Sequence, residues 1–274
     1  MHIYCNAPDG VKNPIRNRGF TLIELLVVIA IIALLLSILM PALRRVKQQA
    51  IAVVCKSNLK QWGLIFGFYL QNNENNFPLT SDRPTSEYYG IWVEPLRPYY
   101  KGGGEDMRVC PTATKSEQEG GHGWFIAWDN PGVSDEDYRG SYGINNYVYN
   151  CLEDSWWGEP TEYNWRRGDV KGANRIPLFM DCWRWGGSPH AADAPYDLPP
   201  QSTIDYLDGM NRFCLNRHNG NINMLFIDFS VSKVGLKQLW KLKWSKNYNT
   251  NGPWTEAGGV TPGMWPDWMK PFSE

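Results

Sequence analysis

From Phe20 to Leu43 the chain is apolar with a single charge, Glu24, and between Leu25 and Met40 its only polar residue is Ser37. At about 1.5 Å per residue, a helix over this stretch is roughly 36 Å long. That exceeds the ~30 Å hydrocarbon core of a bilayer. A core helix of a soluble protein is shorter and carries a polar stripe, so the pattern predicts a transmembrane helix over 20–43. Beyond Pro41 the pattern changes. Cys55, Leu59, Trp62, Phe66 and Tyr69 recur at i+3 and i+4, which places them on one helical face. The polar cluster Gln71–Asn76, followed by Phe77-Pro78, stops that helix. An amphipathic continuation over 44–77 is therefore expected, with Gly63 and Gly67 at close-packing spacing.

Residues 78–274 are enough for one domain with its own core. Short apolar runs predict strands at Gly143–Tyr149, Ile176–Trp183, Asn221–Ile227 and Phe229–Val234. Leu236–Trp244 reads as a short helix, and Gly252–Glu274 as an irregular tail of tryptophan and proline. The expected fold is α+β: a long N-terminal transmembrane and stalk helix packed on a small antiparallel β-sheet head with long loops.

Met1–Gly19 is polar and carries Lys12, Arg16 and Arg18 against Asp9. In a secretory signal peptide the small residue at the cleavage site follows the apolar region. Here Gly19 precedes it, so cutting after Gly19 leaves the apolar helix in the product. Glu24 needs such a cut. A carboxylate within a membrane-spanning helix costs roughly 2.5–3.5 kcal/mol and calls for a partner or a function. Cleavage would create one, because the new Phe20 amine is largely cationic at neutral pH and lies four residues from Glu24 on the same face.

Gly19-Phe20-Thr21-Leu22-Ile23-Glu24 and the apolar run behind it resemble the class III signal of type IV pilins and type II secretion pseudopilins. The resemblance implies cleavage between Gly19 and Phe20 by prepilin peptidase and methylation of the Phe20 amine. It further implies that Glu24 pairs with the methylated amine of a neighbouring subunit, and that Pro41 kinks the helix by removing a backbone N–H. Implied partners are prepilin peptidase, other pilin-like subunits, an inner-membrane assembly platform and the lipid bilayer. The implied location is the inner (cytoplasmic) membrane, single-pass, with the head exported to the periplasm or cell surface. Charge does not fix this orientation, since Arg44, Arg45 and Lys47 after the helix balance the leader's basic residues. The domains are then a leader, 1–19; a transmembrane and assembly helix, 20–43; its amphipathic continuation, 44–77; and a loop-rich, tryptophan-rich head, 78–274.

A second resemblance lies at the other end. His218 and Asp228 are separated by nine residues, as in the His-x9-Asp-Gly motif of a large pilin-like subfamily. Similar fragments are Cys55-Lys56-Ser57-Asn58-Leu59-Lys60-Gln61, Cys110-Pro111, Ser141-Tyr142-Gly143-Ile144-Asn145 and Leu178-Phe179-Met180-Asp181. The subfamily has glycine after the aspartate, whereas this chain has Phe229. Phenylalanine resists the positive φ of a type I′ hairpin, so a different turn or a bulge is expected.

Candidate chemistry is sparse. No nucleophile motif accompanies His218 or Asp228, and His218 is expected to be structural, satisfied by backbone groups. No catalytic residue and no enzymatic activity are expected. Of the six cysteines, Cys5 leaves with the leader. No Cys-x-x-Cys pair provides zinc-finger spacing, and no metal site is expected on that ground. The preferred disulfide is Cys55–Cys110, stapling stalk to head, with Cys151–Cys182 next; all five remaining cysteines buried and reduced is the alternative. Asp129, Asp135 and Asp137 offer oxygen ligands for Ca²⁺, but they lack the spacing of a calcium loop, and a solvated acidic loop is expected. A formal net charge of −1, made more acidic by loss of the leader, leaves no basic footprint for nucleic acid.

The 14 tryptophans remain. Packed inside, they fill the core of a head short of aliphatic residues. Exposed, pairs such as Trp156-Trp157 and Trp183/Trp185 would offer flat faces to sugar rings. The sequence thus points to a pseudopilin-type structural subunit of a type II secretion or type IV pilus-like filament. The alternative is a membrane-tethered surface protein whose head binds polysaccharide.

Overall fold

A computed structural model describes residues 20–79, 92–100, 106–130, 138–151, 160–198 and 209–273. The expected leader, Trp156-Trp157, Asp135 and Asp137 lie outside the described residues. The chain divides into two units, Met1–Lys47 and Gln48–Glu274. The division falls within the 51-residue helix α1 (Leu22–Asn72).

In the first unit every described side chain is exposed, from Phe20 to Lys47. The apolar run therefore has no protein core around it. The helix continues through Pro41. Proline lacks the N–H that would bond to the carbonyl four residues back, that of Ser37. Ser37 turns its own hydroxyl back to the Leu34 carbonyl at 2.7 Å.

In the second unit α1 follows the predicted periodicity. Cys55, Leu59, Trp62 and Phe66 are fully buried, and Tyr69 packs half-buried at the margin of the same core. The helix ends at Asn72, and Glu74 and Asn75 take left-handed φ of 52° and 63°. Asparagine tolerates that conformation because its short side chain can bond locally.

A one-turn helix α2 (Val93–Leu96) and a small hairpin, β1 (Trp128–Asn130) with β2 (Tyr138–Gly140), precede the main sheet. The sheet consists of β3 (Tyr142–Asn145), β4 (Pro177–Asp181), β5 (Gly186–Gly187), β6 (Asn221–Phe226) and β7 (Val231–Gly235), in the order β5-β3-β4-β6-β7. Every neighbouring pair is antiparallel except β3 and β5, which run parallel. The sheet is therefore mixed rather than purely antiparallel. β3 is shorter than expected because Asn145 turns the chain. Its side-chain oxygen accepts from the Tyr147 N–H, while its amide nitrogen donates to the Pro177 and Trp244 carbonyls. Residues 146–148 consequently form a 3-10 turn. The helix expected at Leu236–Trp244 is likewise a 3-10 stretch, Leu236–Lys241.

Both faces of this sheet are covered. Phe179, Leu225 and Ile227 join the α1 residues in one core. Met180, Ile222, Met224 and Phe226 face a second core built from Leu236, Leu239, Trp240, Trp244 and Trp265. A register shift between Pro177 and Phe179 turns β4 locally against β6. Burial on both faces is why these strands read as continuous apolar runs instead of alternating ones. The irregular tail, through Trp265 and Met269, shares this second cover with Phe213 and residues 236–244, and aromatic rings fill space that aliphatic residues would otherwise occupy. Trp240 and Trp265 lie 5.5 Å apart, and Phe213 stacks on Trp244 at 5.0 Å.

The β6–β7 turn departs from type I′ as expected. Phe226 and Ser230 close it, and the Phe229 N–H donates to the Phe226 carbonyl at 2.9 Å. Phe229 alone in this turn takes the left-handed conformation, at φ 63°, the arrangement of a G1 bulge, in which glycine is usual. Its ring packs over Gly67, where an added Cβ would lie 3.6 Å from the ring. The Gly63–Gly67 spacing thus makes room for the hairpin tip. Left-handed strain of about 1 kcal/mol or more opposes roughly 1–2 kcal/mol of half-buried aromatic surface. Phe229→Gly should therefore change unfolding stability by less than about 1 kcal/mol. Phe229→Val, β-branched and without the ring, should cost about 2 kcal/mol or more. Equal losses in chemical denaturation would show that the backbone here is unstrained.

Candidate functional site

Two places bring together the residues singled out by the sequence. The first is the start of α1. Thr21 precedes the helix and Glu24 is its third residue. The Glu24 carboxylate accepts from the Thr21 N–H and hydroxyl, both at 2.9 Å, while the Glu24 N–H donates to the Thr21 hydroxyl at 3.2 Å. This is a reciprocal capping box, which satisfies donors that a helix start leaves open. The Thr-x-x-Glu spacing of this box is legible in the sequence. Both residues remain solvent-facing, and Phe20 is 71% exposed.

The second place is buried in the head. Cys55 comes from α1, Cys110 from the loop after residues 106–108, Asp181 from the end of β4, and His218 from the loop before β6. One ligand-type atom from each lies within 4.8 Å of all the others. Cys110 Sγ is 3.4 Å from His218 Nε2, Cys55 Sγ is 3.7 Å from Asp181 Oδ2, and His218 Nε2 is 3.2 Å from the same oxygen. The Tyr142 hydroxyl donates to Cys55 Sγ at 3.3 Å, and Thr112 Oγ1 lies 3.1 Å from Cys110 Sγ. The Cys110 N–H bonds to Ser141 Oγ.

Arg217 completes the cluster from one side. It donates to the carbonyls of Trp124, Ser141, Ile126 and Cys182 at 2.7, 2.6, 2.8 and 3.3 Å, and contacts Asp181 Oδ1 at 3.4 Å. The buried carboxylate thus faces a guanidinium on one oxygen and an imidazole on the other.

Titration follows from this geometry. Burial alone would raise the Asp181 carboxyl, but the His218 hydrogen bond and the nearby positive charges hold it below the usual range. Burial disfavours the His218 imidazolium, yet its bonds to Asp181 and Cys110 bring it up to about 10. Burial drives the Cys55 thiol well up. Cys110 is also disfavoured by burial, but hydrogen bonds from Cys55 and His218 bring it down to about 6.

Several expectations are corrected here. All five described cysteines are free thiols, so neither expected disulfide is formed. Cys151 belongs to the core beside α1 and Cys182 to the core on the opposite face of the sheet. Cys55 and Cys110 do meet, but their sulfurs bond within the cluster. His218 is satisfied by side chains, not by backbone groups, and it does not meet Asp228. Asp228 stays in its own turn, accepting from the Ser230 N–H and hydroxyl at 3.0 and 2.6 Å. Asp129 pairs with Arg139 at 3.0 Å. Every described tryptophan is buried or half-buried. Sequence reading did not single out Arg217, and the apolar run around Asp181 was its only signal: a charge inside a fully buried strand.

Residues 15–40 match the prokaryotic N-terminal methylation motif. No curated protein and no solved structure matches the chain. The motif, the long apolar helix behind it and the α+β head give the chain a pilin-like layout and support a place in the type IV pilin and pseudopilin family. Among the described residues, α1 is the one helix long and apolar enough to cross a membrane, as a single-pass anchor requires.

Proposed function

We propose that the chain is a structural, non-catalytic subunit of a type II secretion pseudopilus or related filament. Prepilin peptidase at the inner membrane would cut between Gly19 and Phe20 and methylate the new amine. The subunit would then leave the bilayer for a filament whose core is made of these apolar helices. The observation that carries this reading is the methylation motif over residues 15–40, continued by a helix whose apolar side chains from Leu22 to Leu43 are all exposed. Such a surface calls for lipid or for other copies of the same helix. Glu24 is suited to set the stagger. Its carboxylate is held at the helix start by Thr21 and is open to a neighbour's cationic amine.

Glu24→Ala should leave the peptidase cut intact and abolish filament incorporation. Mass spectrometry of the mature N-terminus should find methylated Phe20 in both proteins. Sheared-filament fractions should contain only the wild type. Filaments of normal length from the variant would remove Glu24 from assembly, and an uncut Met1 leader in peptidase-positive cells would refute the processing. Loss of extracellular enzymes in a deletion strain, with surface pili unchanged, assigns the subunit to secretion; the reverse pattern assigns it to a pilus.

A further inference from the structure

We propose that Cys55, Cys110, Asp181 and His218 form a closed, structural zinc site that ties the second half of α1 to the head. A tetrahedral site sets the distances expected between the ligand atoms. With Zn–S near ~2.3 Å and Zn–N or Zn–O near ~2.0–2.1 Å, its edges are roughly 3.5 Å from sulfur to nitrogen or oxygen and roughly 3.3 Å from nitrogen to oxygen. The corresponding separations are 3.4, 3.7 and 3.2 Å. Three of the six edges are thus close to those an ion would set, and all four atoms lie within 4.8 Å of one another.

The donor set selects the metal. Two thiolates, an imidazole and a carboxylate in a tetrahedron suit zinc, whereas calcium and magnesium require mostly oxygen. Charge balances as well, because two thiolates and Asp181 carry three negative charges against the dication and the Arg217 guanidinium. The surrounding contacts orient the ligands, as outer partners do in metal sites. Arg217 holds Asp181 Oδ1, leaving Oδ2 to point inward, while Tyr142 and Thr112 bond to the two sulfurs. Cys55, Cys110 and Asp181 are fully buried and the His218 side chain is nearly so. Four protein ligands leave no open position for substrate, which makes the site structural.

Each ligand also lies in one of the short fragments, scattered along the chain, that resemble the pilin-like subfamily. Ser141 and Tyr142, from the remaining fragment, contact Cys110 and Cys55. The fragments are unrelated along the sequence, but they meet at one point. Spacing-based reading cannot find such a site, because no two ligands share a hairpin. The ion would do the stapling for which a Cys55–Cys110 disulfide was expected.

The test uses the full chain, purified in detergent under reducing conditions. Metal analysis should find one zinc per chain, and X-ray absorption at the zinc edge should show two sulfur and two nitrogen or oxygen neighbours. Cys110→Ser and His218→Ala should lower zinc affinity at least about tenfold. Cys151→Ser and Cys214→Ser, which alter buried thiols outside the cluster, should keep the full complement. If the ligand variants do not fold, the wild type decides. A chelator should lower its melting temperature, and added zinc should restore it. A wild-type chain that neither contains zinc nor takes up Zn²⁺ or Co²⁺ overturns the proposal. So does bound zinc without sulfur neighbours, or a Cys55–Cys110 disulfide in freshly isolated protein.

Discussion

Arg217→Met should destabilise the head by about 3–5 kcal/mol, the cost of breaking a buried ion pair by removing one partner. The side chain is buried, and its donors reach four carbonyls as well as Asp181. Methionine fills much of the same volume but donates nothing, so the carbonyls of Trp124, Ile126, Ser141 and Cys182 lose a partner together. Each unsatisfied buried acceptor adds to the penalty. In a domain of this size each kcal/mol moves the melting temperature by about 2–4 °C, so a fall on the order of 6–20 °C is expected. Intrinsic tryptophan fluorescence during heating provides the readout. Arg217→Lys keeps the charge but not the planar fork of donors, and should recover only a minor part of the loss. Full recovery with lysine would mean that charge alone matters, and a fall of less than ~2 °C would show that the carbonyl network contributes little.

Trp62→Ala should be comparably severe, about 3–5 kcal/mol for truncating a buried tryptophan. Trp62 is where the helix, the loops and the sheet meet. Its ring lies 5.0 Å from Trp92, 5.2 Å from Tyr100 and 5.2 Å from Phe179. Its indole N–H donates to the Met107 carbonyl at 3.0 Å. Alanine would leave a cavity lined by aromatic edges and a buried carbonyl without its donor. Leu64, two residues along the same helix and 58% exposed, gives the contrast: Leu64→Ala should stay within about 0.5 kcal/mol. Equal effects from the two changes in urea unfolding would mean that the second half of α1 is not packed on the head in solution.

The helix was legible because its signal is local. Length and hydrophobicity mark the first half, and the 3.6-residue period marks the second. Cys55, Leu59, Trp62 and Phe66 are buried as that period requires. The strands were legible as apolar runs, but β5 was not, because two glycines carry no pattern and pair only through what lies beside them. Asn145 shows the same limit from another side. Its run continues apolar into Tyr147 and Val148, and only its side-chain bonds to Pro177 and Trp244 reveal why the strand stops.

The buried cluster was the least legible part. His218 stood out beside Asp228, a neighbour in a linear motif, and the fold parts them. Its partner is Asp181, in a different strand, with Arg217 stationed behind it. Each residue has an ordinary local sequence; their chemistry arises only from tertiary convergence.

The Thr21–Glu24 box has a consequence for maturation. Because the helix begins at Leu22 and is closed by its own side chains, a cut before Phe20 severs the chain outside the helical ladder. With the proposed cut, the mature end would need no rewinding, and its acid would not enter a bilayer bare. Removal of residues 1–19 would then change the charge of the tip while leaving the rod intact.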